Sequence, residues 1–171
     1  AWKDSAVATA KAYAAADPKL RVEWAGPPMS ARSSITARLM ETWAHSQAIY
    51  DLMGVERHDK DYIRAIAHLG VITYGWTFAN RGVEPPGPAP YVRLTAPHSG
   101  DIWEWNQERA GGPDRIEGPA TDFCQVVAQT RNIQDVNLDV SGPVATEWMA
   151  KAQCFAGPPN DPPAPGTRFR L

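Results

Sequence analysis

Cysteine is scarce. The 171-residue chain has two, Cys124 and Cys154, and their spacing fits neither a metal knuckle nor a disulfide framework. Free buried thiols in a reducing cytoplasm are the expectation, with one bridge between two helices as the alternative. Long apolar runs are missing too. No stretch approaches the roughly 18 apolar residues of a membrane span. Neither charge sign dominates: 17 Lys and Arg stand against 19 Asp and Glu, for a net charge of −2. With a pI near 6.1, the chain has no general attraction for nucleic acid or anionic lipid. There are no charge blocks and no internal repeats. No basic, apolar, small-residue leader is present, so a cytoplasmic location is expected. The chain starts Ala-Trp-Lys, without Met and already helical in pattern. An upstream segment, or a second polypeptide, is therefore expected.

What is abundant is tryptophan, with seven, and proline, with sixteen, which together suggest a packed protein with stiff connections. The length allows one domain or two small ones. Residues 2–16 are alanine-rich and helix-favouring. Asp17-Pro18 ends that segment, and Gly26-Pro27-Pro28 forces a rigid turn. Ser30 is a good N-cap for a long helix that ends at Gly54. A second long helix is expected over 59–81. Its apolar stripe is Ile63, Ile66, Ala67, Gly70, Val71, Tyr74 and Phe78, and the two helices should pack as a hairpin. His68 lies off most of this stripe and reads as a core-edge, hydrogen-bonding residue.

Residues 82–90, GVEPPGPAP, form a proline-rich linker and the candidate domain boundary. After it the period falls to two. Strands are expected over 91–96, 102–105, 115–118 and 136–140, with a hairpin joining the first two. Helices should follow over 119–130 and 144–155, the latter burying Trp148, Met149, Ala152 and Phe155. The tail from Gly157 is too rich in Pro and Gly for a regular element. The fold class is thus α+β: a helical part over 1–82, a linker over 83–90, and a small α+β part over 91–171.

The long helix carries E-T-W-A-H, Glu41 to His45. At about 3.6 residues per turn the two share a face. A carboxylate beside an imidazole can hold a divalent ion such as zinc or iron. The same types also make an ordinary surface pair. Met40, Trp43, Ala44 and Ile49 make most of this helix apolar, so it should be buried on several sides. A Glu in such a setting needs a partner. Two donors are too few for a working site.

These residues carry a family resemblance. WAGPPMSARSSITARLMETWAHSQAIYDLMG resembles the distal part of the bundle in the DinB-like, mycothiol-dependent maleylpyruvate isomerase superfamily. More closely it is similar to the actinobacterial-type metal-binding branch, sometimes labelled wyosine-base-formation-like. AIAHLGVITYGWTFANRG, GPATDFCQVVAQTR and AKAQCFAGPP are similar to further stretches in the same order. The resemblance implies a four-helix bundle with a metal between its helices, then a sterol-carrier-like α+β domain. Glu41 and His45 match the family's E-x-x-x-H ligands. The remaining ligand is implied to be a histidine upstream of this chain or on a partner chain. One departure is Ala48, where the branch has Asp in an H-x-Q-D pattern. Another is the absence of the basic residues usual around Ile72 and Tyr74.

The function so implied is a divalent-metal-dependent S-transferase or isomerase. It would activate a low-molecular-weight, mycothiol-like thiol for attack on an electrophilic small molecule. Zinc is the implied metal, with iron or nickel as alternatives. Arg131 could reach a substrate carboxylate, and Trp43 and Tyr74 could line the cavity. The alternative is a non-catalytic ligand-binding or assembly subunit whose metal is structural or lost. Missing helices, a partner chain or a homodimer would complete the bundle. No nucleic-acid or membrane partner is expected.

Overall fold

The computed structural model describes residues 1–24 and 28–168. The expected turn at Gly26-Pro27-Pro28 falls mainly outside the described residues. Helix α1 (Trp2–Ala15) has no buried residue. It is tied to the next helix by the Tyr13 hydroxyl, 2.8 Å from Ser34 Oγ. A two-residue ladder, β1 (Arg21–Val22) with β2 (Met29–Ser30), follows. Helix α2 (Ala31–Met53) starts at Ser30, whose side chain accepts from Ser33 N–H. It stops at Gly54, which takes a left-handed φ of 62° that costs glycine little.

The second long helix is broken. A 3-10 turn at Asp61–Ile63 leads into α3 (Arg64–Ile72), and α4 (Tyr74–Ala79) resumes after Thr73. Thr73 Oγ1 donates to the Leu69 and Gly70 carbonyls at 2.7 and 3.0 Å. This bonding back onto the preceding turn competes with regular helix propagation. Helices of nine and six residues do not hold themselves in water. Burial holds them: Ile63, Ile66, Ala67 and Phe78 have no exposed surface. Each large apolar side chain so buried contributes roughly 1.5–3 kcal/mol. The predicted stripe is thus the packed face, although the helix beneath it is interrupted.

Four strands, β3 (Tyr91–Thr95), β4 (Ile102–Trp105), β5 (Arg115–Pro119) and β6 (Asp139–Ser141), form a sheet in the order β4-β3-β5-β6. The expected β3–β4 hairpin is present, with Val92 opposite Trp105. β5 runs parallel to β3 on its other side, and β6 pairs antiparallel with β5. β6 is shorter than the predicted 136–140 strand. A 3-10 turn at Ile133–Asp135 precedes it, and Asn137 N–H is drawn off to the Asp122 carboxylate at 2.8 Å. Helix α5 (Ala120–Val127) packs against α3. Helix α6 (Pro143–Met149) also ends earlier than predicted, before Cys154 N–H bonds the Val127 carbonyl at 2.9 Å.

One hydrophobic cluster includes residues from both sides of the proline-rich segment. It takes in Met40 and Trp43 of α2, Ile66 of α3, Val92 and Leu94 of β3, Phe123 of α5 and Trp148 of α6. Trp148 meets Tyr74 and Phe123 edge-on, at ring separations of 5.1 and 5.9 Å. Both cysteines are free and buried.

Residues 156–168 form an irregular strap, fastened by side-chain amides. Gln129 Nε2 donates to the Ala152 and Asn160 carbonyls, and Asn160 Nδ2 returns a bond to Gln129 Oε1 at 2.7 Å. Asn132 Nδ2 donates to the Pro163 carbonyl at 2.8 Å, and Gly166 N–H to Asp135 at 2.9 Å. This carries Thr167 and Arg168 to the side of α2.

Candidate functional site

Glu41 and His45 do stand together: Glu41 Oε2 lies 3.3 Å from His45 Nε2. Their surroundings differ from expectation. The side chains are 50% and 85% exposed, on a face that none of the described residues closes. Ile49, at 59%, and Leu52, at 78%, are exposed as well. Helix α2 is therefore buried along one side, through Met40, Trp43 and Gln47, and not on several. At about 100° per residue, Glu41, His45, Ala48, Ile49 and Leu52 form one uncovered stripe. Among the described residues no group of three His, Cys, Asp or Glu side chains could hold a metal. The chain offers two donors of the four a tetrahedral zinc takes. It does not by itself fill such a site.

The inner face of α2 is built around Asp59. Trp43 Nε1 donates to its carboxylate at 2.7 Å, Arg57 Nε lies at 3.1 Å, and the Thr121 hydroxyl donates at 3.3 Å. The Arg57 guanidinium also lies 4.9 Å from the centre of the Trp43 ring and donates to the Trp43 carbonyl. Trp43 is thus a buried anchor joining α2 to α5. Tyr74 is likewise occupied: its hydroxyl donates to the Gly87 carbonyl at 2.7 Å. Burial pushes the Tyr74 phenol up, against the lowering effect of that hydrogen bond.

Arg131 is engaged with a partner that sequence reasoning missed. Its two terminal nitrogens reach the Asp51 carboxylate at 2.9 and 2.6 Å, and Nη1 also donates to the Thr130 carbonyl at 2.8 Å. Gln47 Nε2 donates to the same carboxylate at 3.0 Å. The only signal in the sequence was the i, i+4 spacing of Gln47 and Asp51 on α2. A cavity of about 450 Å³ lies here, between α2 and the strap. His45, Ala48, Leu52, Arg131 and Arg168 are among its walls. His45 and Arg131 are brought to one cavity, while Trp43 and Tyr74 do not line it. His68 accepts from Trp105 Nε1 at 3.1 Å, as its position off the stripe suggested.

The thiols are poor nucleophiles. Burial, aided by the Glu41 charge, pushes Cys154 up to about 12. Cys124 is also raised well above its ordinary value, first by burial and then by Cys154 and Asp59.

Residues 1–50, which contain the Glu41–His45 pair, match the model of the mycothiol maleylpyruvate isomerase N-terminal domain. Over this segment the match supports the resemblance to the DinB-like, mycothiol maleylpyruvate isomerase superfamily. Two Mycobacterium tuberculosis proteins are similar over a longer stretch. They are the uncharacterized protein MT0041 of strain CDC 1551 / Oshkosh and the uncharacterized protein Rv0036c of strain ATCC 25618 / H37Rv. Each is 44% identical over 139 residues, covering 81% of this chain and 53% of the relative. The chain thus spans about half the length of the curated relatives it matches. No solved structure matches it significantly.

Proposed function

We propose that the protein is a divalent-metal-dependent enzyme of the thiol-transferase or isomerase kind, within the metal-binding, wyosine-base-formation-like branch. Glu41 and His45 are its half of the metal site. The observation that carries this reading is the pair itself: two donors 3.3 Å apart on an uncovered face, inside the segment that matches the isomerase domain. The exposed Ile49 and Leu52 beside it give an apolar flank for the element that supplies the remaining donors. That element is a helix bearing a histidine, from a flanking segment or a partner chain, or the face of a second copy.

A bound zinc, or iron or nickel in its place, would supply a cation that favours the thiolate form of a coordinated sulfur. Glu41 and His45 would hold the ion together with the donors of the second element, and both side chains sit at the surface. They do not supply the attacking sulfur. Cys124 and Cys154 are buried and do not present a sulfur at the pair, and the family resemblance supplies a separate low-molecular-weight, mycothiol-like thiol as the nucleophile. The electrophile is a small molecule.

A non-catalytic binding role is the second reading, favoured by Ala48 standing where the branch has Asp. The test is elemental analysis of the purified protein and of Glu41→Ala and His45→Ala. About one equivalent of zinc, iron or nickel, lost in both variants while they stay folded, supports the enzyme reading. A folded protein that binds no added zinc with the element supplying the remaining donors present overturns it.

A further inference from the structure

The sheet ends in two unlike edges. At the β6 end, Asp139 and the Gly142-Pro143 pair after the strand discourage further pairing. β4 has no such device. Its sequence, Ile-Trp-Glu-Trp, lacks Lys, Pro and Gly, and its register with β3 runs without a bulge. Its one charge is turned back into its own sheet: Glu104 accepts from the Tyr91 hydroxyl and from Gln107 Nε2 at 3.3 Å. Ala96 N–H donates to the Asp101 carbonyl at 2.8 Å, which closes the β3–β4 hairpin. Hydrogen-bonded pairs alternate from there, so Leu94 bonds Trp103 and Val92 bonds Trp105. Ile102 and Glu104 therefore turn their N–H and C=O groups outward, where no described residue meets them. The same phase sends Tyr91 N–H toward β5, where it donates to the Asp114 carbonyl at 3.1 Å. Beneath β4, α3 sets Arg64 over the Trp103 ring at 5.9 Å and His68 on Trp105 Nε1. Ile72 continues that row at a spacing of four and is 61% exposed.

We propose that this edge joins two copies of the chain, with β4 pairing antiparallel to the β4 of the second copy across a two-fold axis at Trp103. A two-fold places residue i opposite j and j opposite i. With Trp103 opposite its counterpart, Ile102 of each copy faces Glu104 of the other. Both of these pairs are hydrogen-bonding ones, so every open N–H and C=O of Ile102 and Glu104 finds a partner. Other registers are worse. Centring on Glu104 sets the two carboxylates opposite each other and Ile102 against Asn106, whose left-handed φ of 57° takes it out of the strand. Centring on Ile102 sets Glu104 against Gly100, in the hairpin turn at φ 76°. In the Trp103 register the solvent face pairs Ile102, itself 43% exposed, with the carbon chain of Glu104. On the inner face the two Trp103 residues meet, since such a pair brings its Cα atoms to about 4.5 Å. The edge selects a second copy because its short row of groups and side chains complements itself.

The test is sedimentation equilibrium of the full chain in buffer containing EDTA, with amide hydrogen exchange measured by NMR at low and high protein concentration. The chelator removes any dimer bridged by a metal at Glu41 and His45, so this proposal and the metal reading fail separately. The unmodified chain is expected to dimerise between about 10 µM and 0.5 mM. As it does, exchange of the Ile102 and Glu104 amides should slow by about fivefold or more. Ile102→Glu, a change on the solvent face, sets like charges opposite each other on both sides of the axis. It should weaken the dimer by about fivefold or more. Ile102→Lys, which meets Glu104 of the second copy, should hold the dimer about tenfold more tightly than Ile102→Glu. A chain that stays monomeric to about 0.5 mM overturns the proposal. So does a dimer of the unmodified chain whose formation leaves exchange at Ile102 and Glu104 unchanged. Equal dimerisation of Ile102→Glu and Ile102→Lys overturns it as well.

Discussion

Replacing Arg131 by Met tests how α2 is joined to the segment after α5. The Arg131 and Asp51 side chains are 5% and 17% exposed, and the pair spans 80 residues of sequence. It ties the last turn of α2 to the segment after α5. Arg131→Met removes the guanidinium that meets both Asp51 oxygens and takes away a donor to the Thr130 carbonyl. Breaking a buried pair on one side costs about 3–5 kcal/mol. The remaining exposure of Asp51 lets water soften the loss, so the lower end, about 3 kcal/mol, is expected. For a chain of this size that lowers Tm by roughly 6–12 °C. Urea and thermal unfolding, followed by circular dichroism and tryptophan fluorescence, measure it. The double variant Asp51→Leu with Arg131→Met should recover most of the loss, because apolar replacement of a whole buried pair is close to neutral. A single variant within about 0.5 kcal/mol of the parent would refute the reasoning. So would a double variant no more stable than Arg131→Met.

Gly142→Ala should destabilise the chain by about 2 kcal/mol or more: φ is +86°, and an added Cβ would sit 2.4 Å from Asp114 Oδ1 and 2.6 Å from the Pro113 carbonyl. The same Asp114 oxygen accepts from Val144 and Ala145 N–H, so α6 should fray first, visible as loss of amide protection there. For Cys154, the folded thiol is raised from 9.0 to about 12. Its contribution is complete below the unfolded value and is lost as pH rises from about 9 toward 12. Unfolding curves across that window should show a steeper decline for the parent than for Cys154→Ala, and a thiol reagent at pH 8 should label the native protein far more slowly than the unfolded one. For Asp61, burial is the largest single influence and pushes the carboxyl up. Hydrogen bonds from His98 and Ser99, with the His98 charge, outweigh it and hold the group below its ordinary value. The stability it contributes is present above the unfolded pKa and lost as pH falls through the lower folded one. Asp61→Asn should therefore flatten the acid limb of a stability profile below about pH 4.

What could be read from the sequence was local chemistry. Ser30 and Gly54 bound α2 because a side-chain acceptor and a left-handed residue act on their own neighbours. The stripe from Ile63 to Phe78 was legible because burial sets the spacing. The break at Thr73 was not, because the apolar pattern continues across it while one hydroxyl redirects the backbone. Val136 and Leu138 alternate like strand residues, but only residues 139–141 find partners on β5, since pairing depends on register with a distant strand. At the site, the meeting of Glu41 and His45 follows from helix geometry alone. Their exposure does not, because it depends on what packs opposite. Arg131 with Asp51 was beyond reach for the same reason: nothing local to either residue names the other.

The amide-fastened strap has a consequence for how this corner of the molecule is made. Gln129 exchanges hydrogen bonds with Asn160, a residue 31 positions later. Synthesis runs from the N-terminus, so α5 leaves the ribosome while the carbonyls that its following residues require are still unmade or inside the exit tunnel. Until then Gln129 and Asn132 stay hydrated, and the wall formed by Thr167 and Arg168 does not exist. The helices and sheet can assemble during translation, whereas the pocket beside α2 is finished only when the strap has emerged.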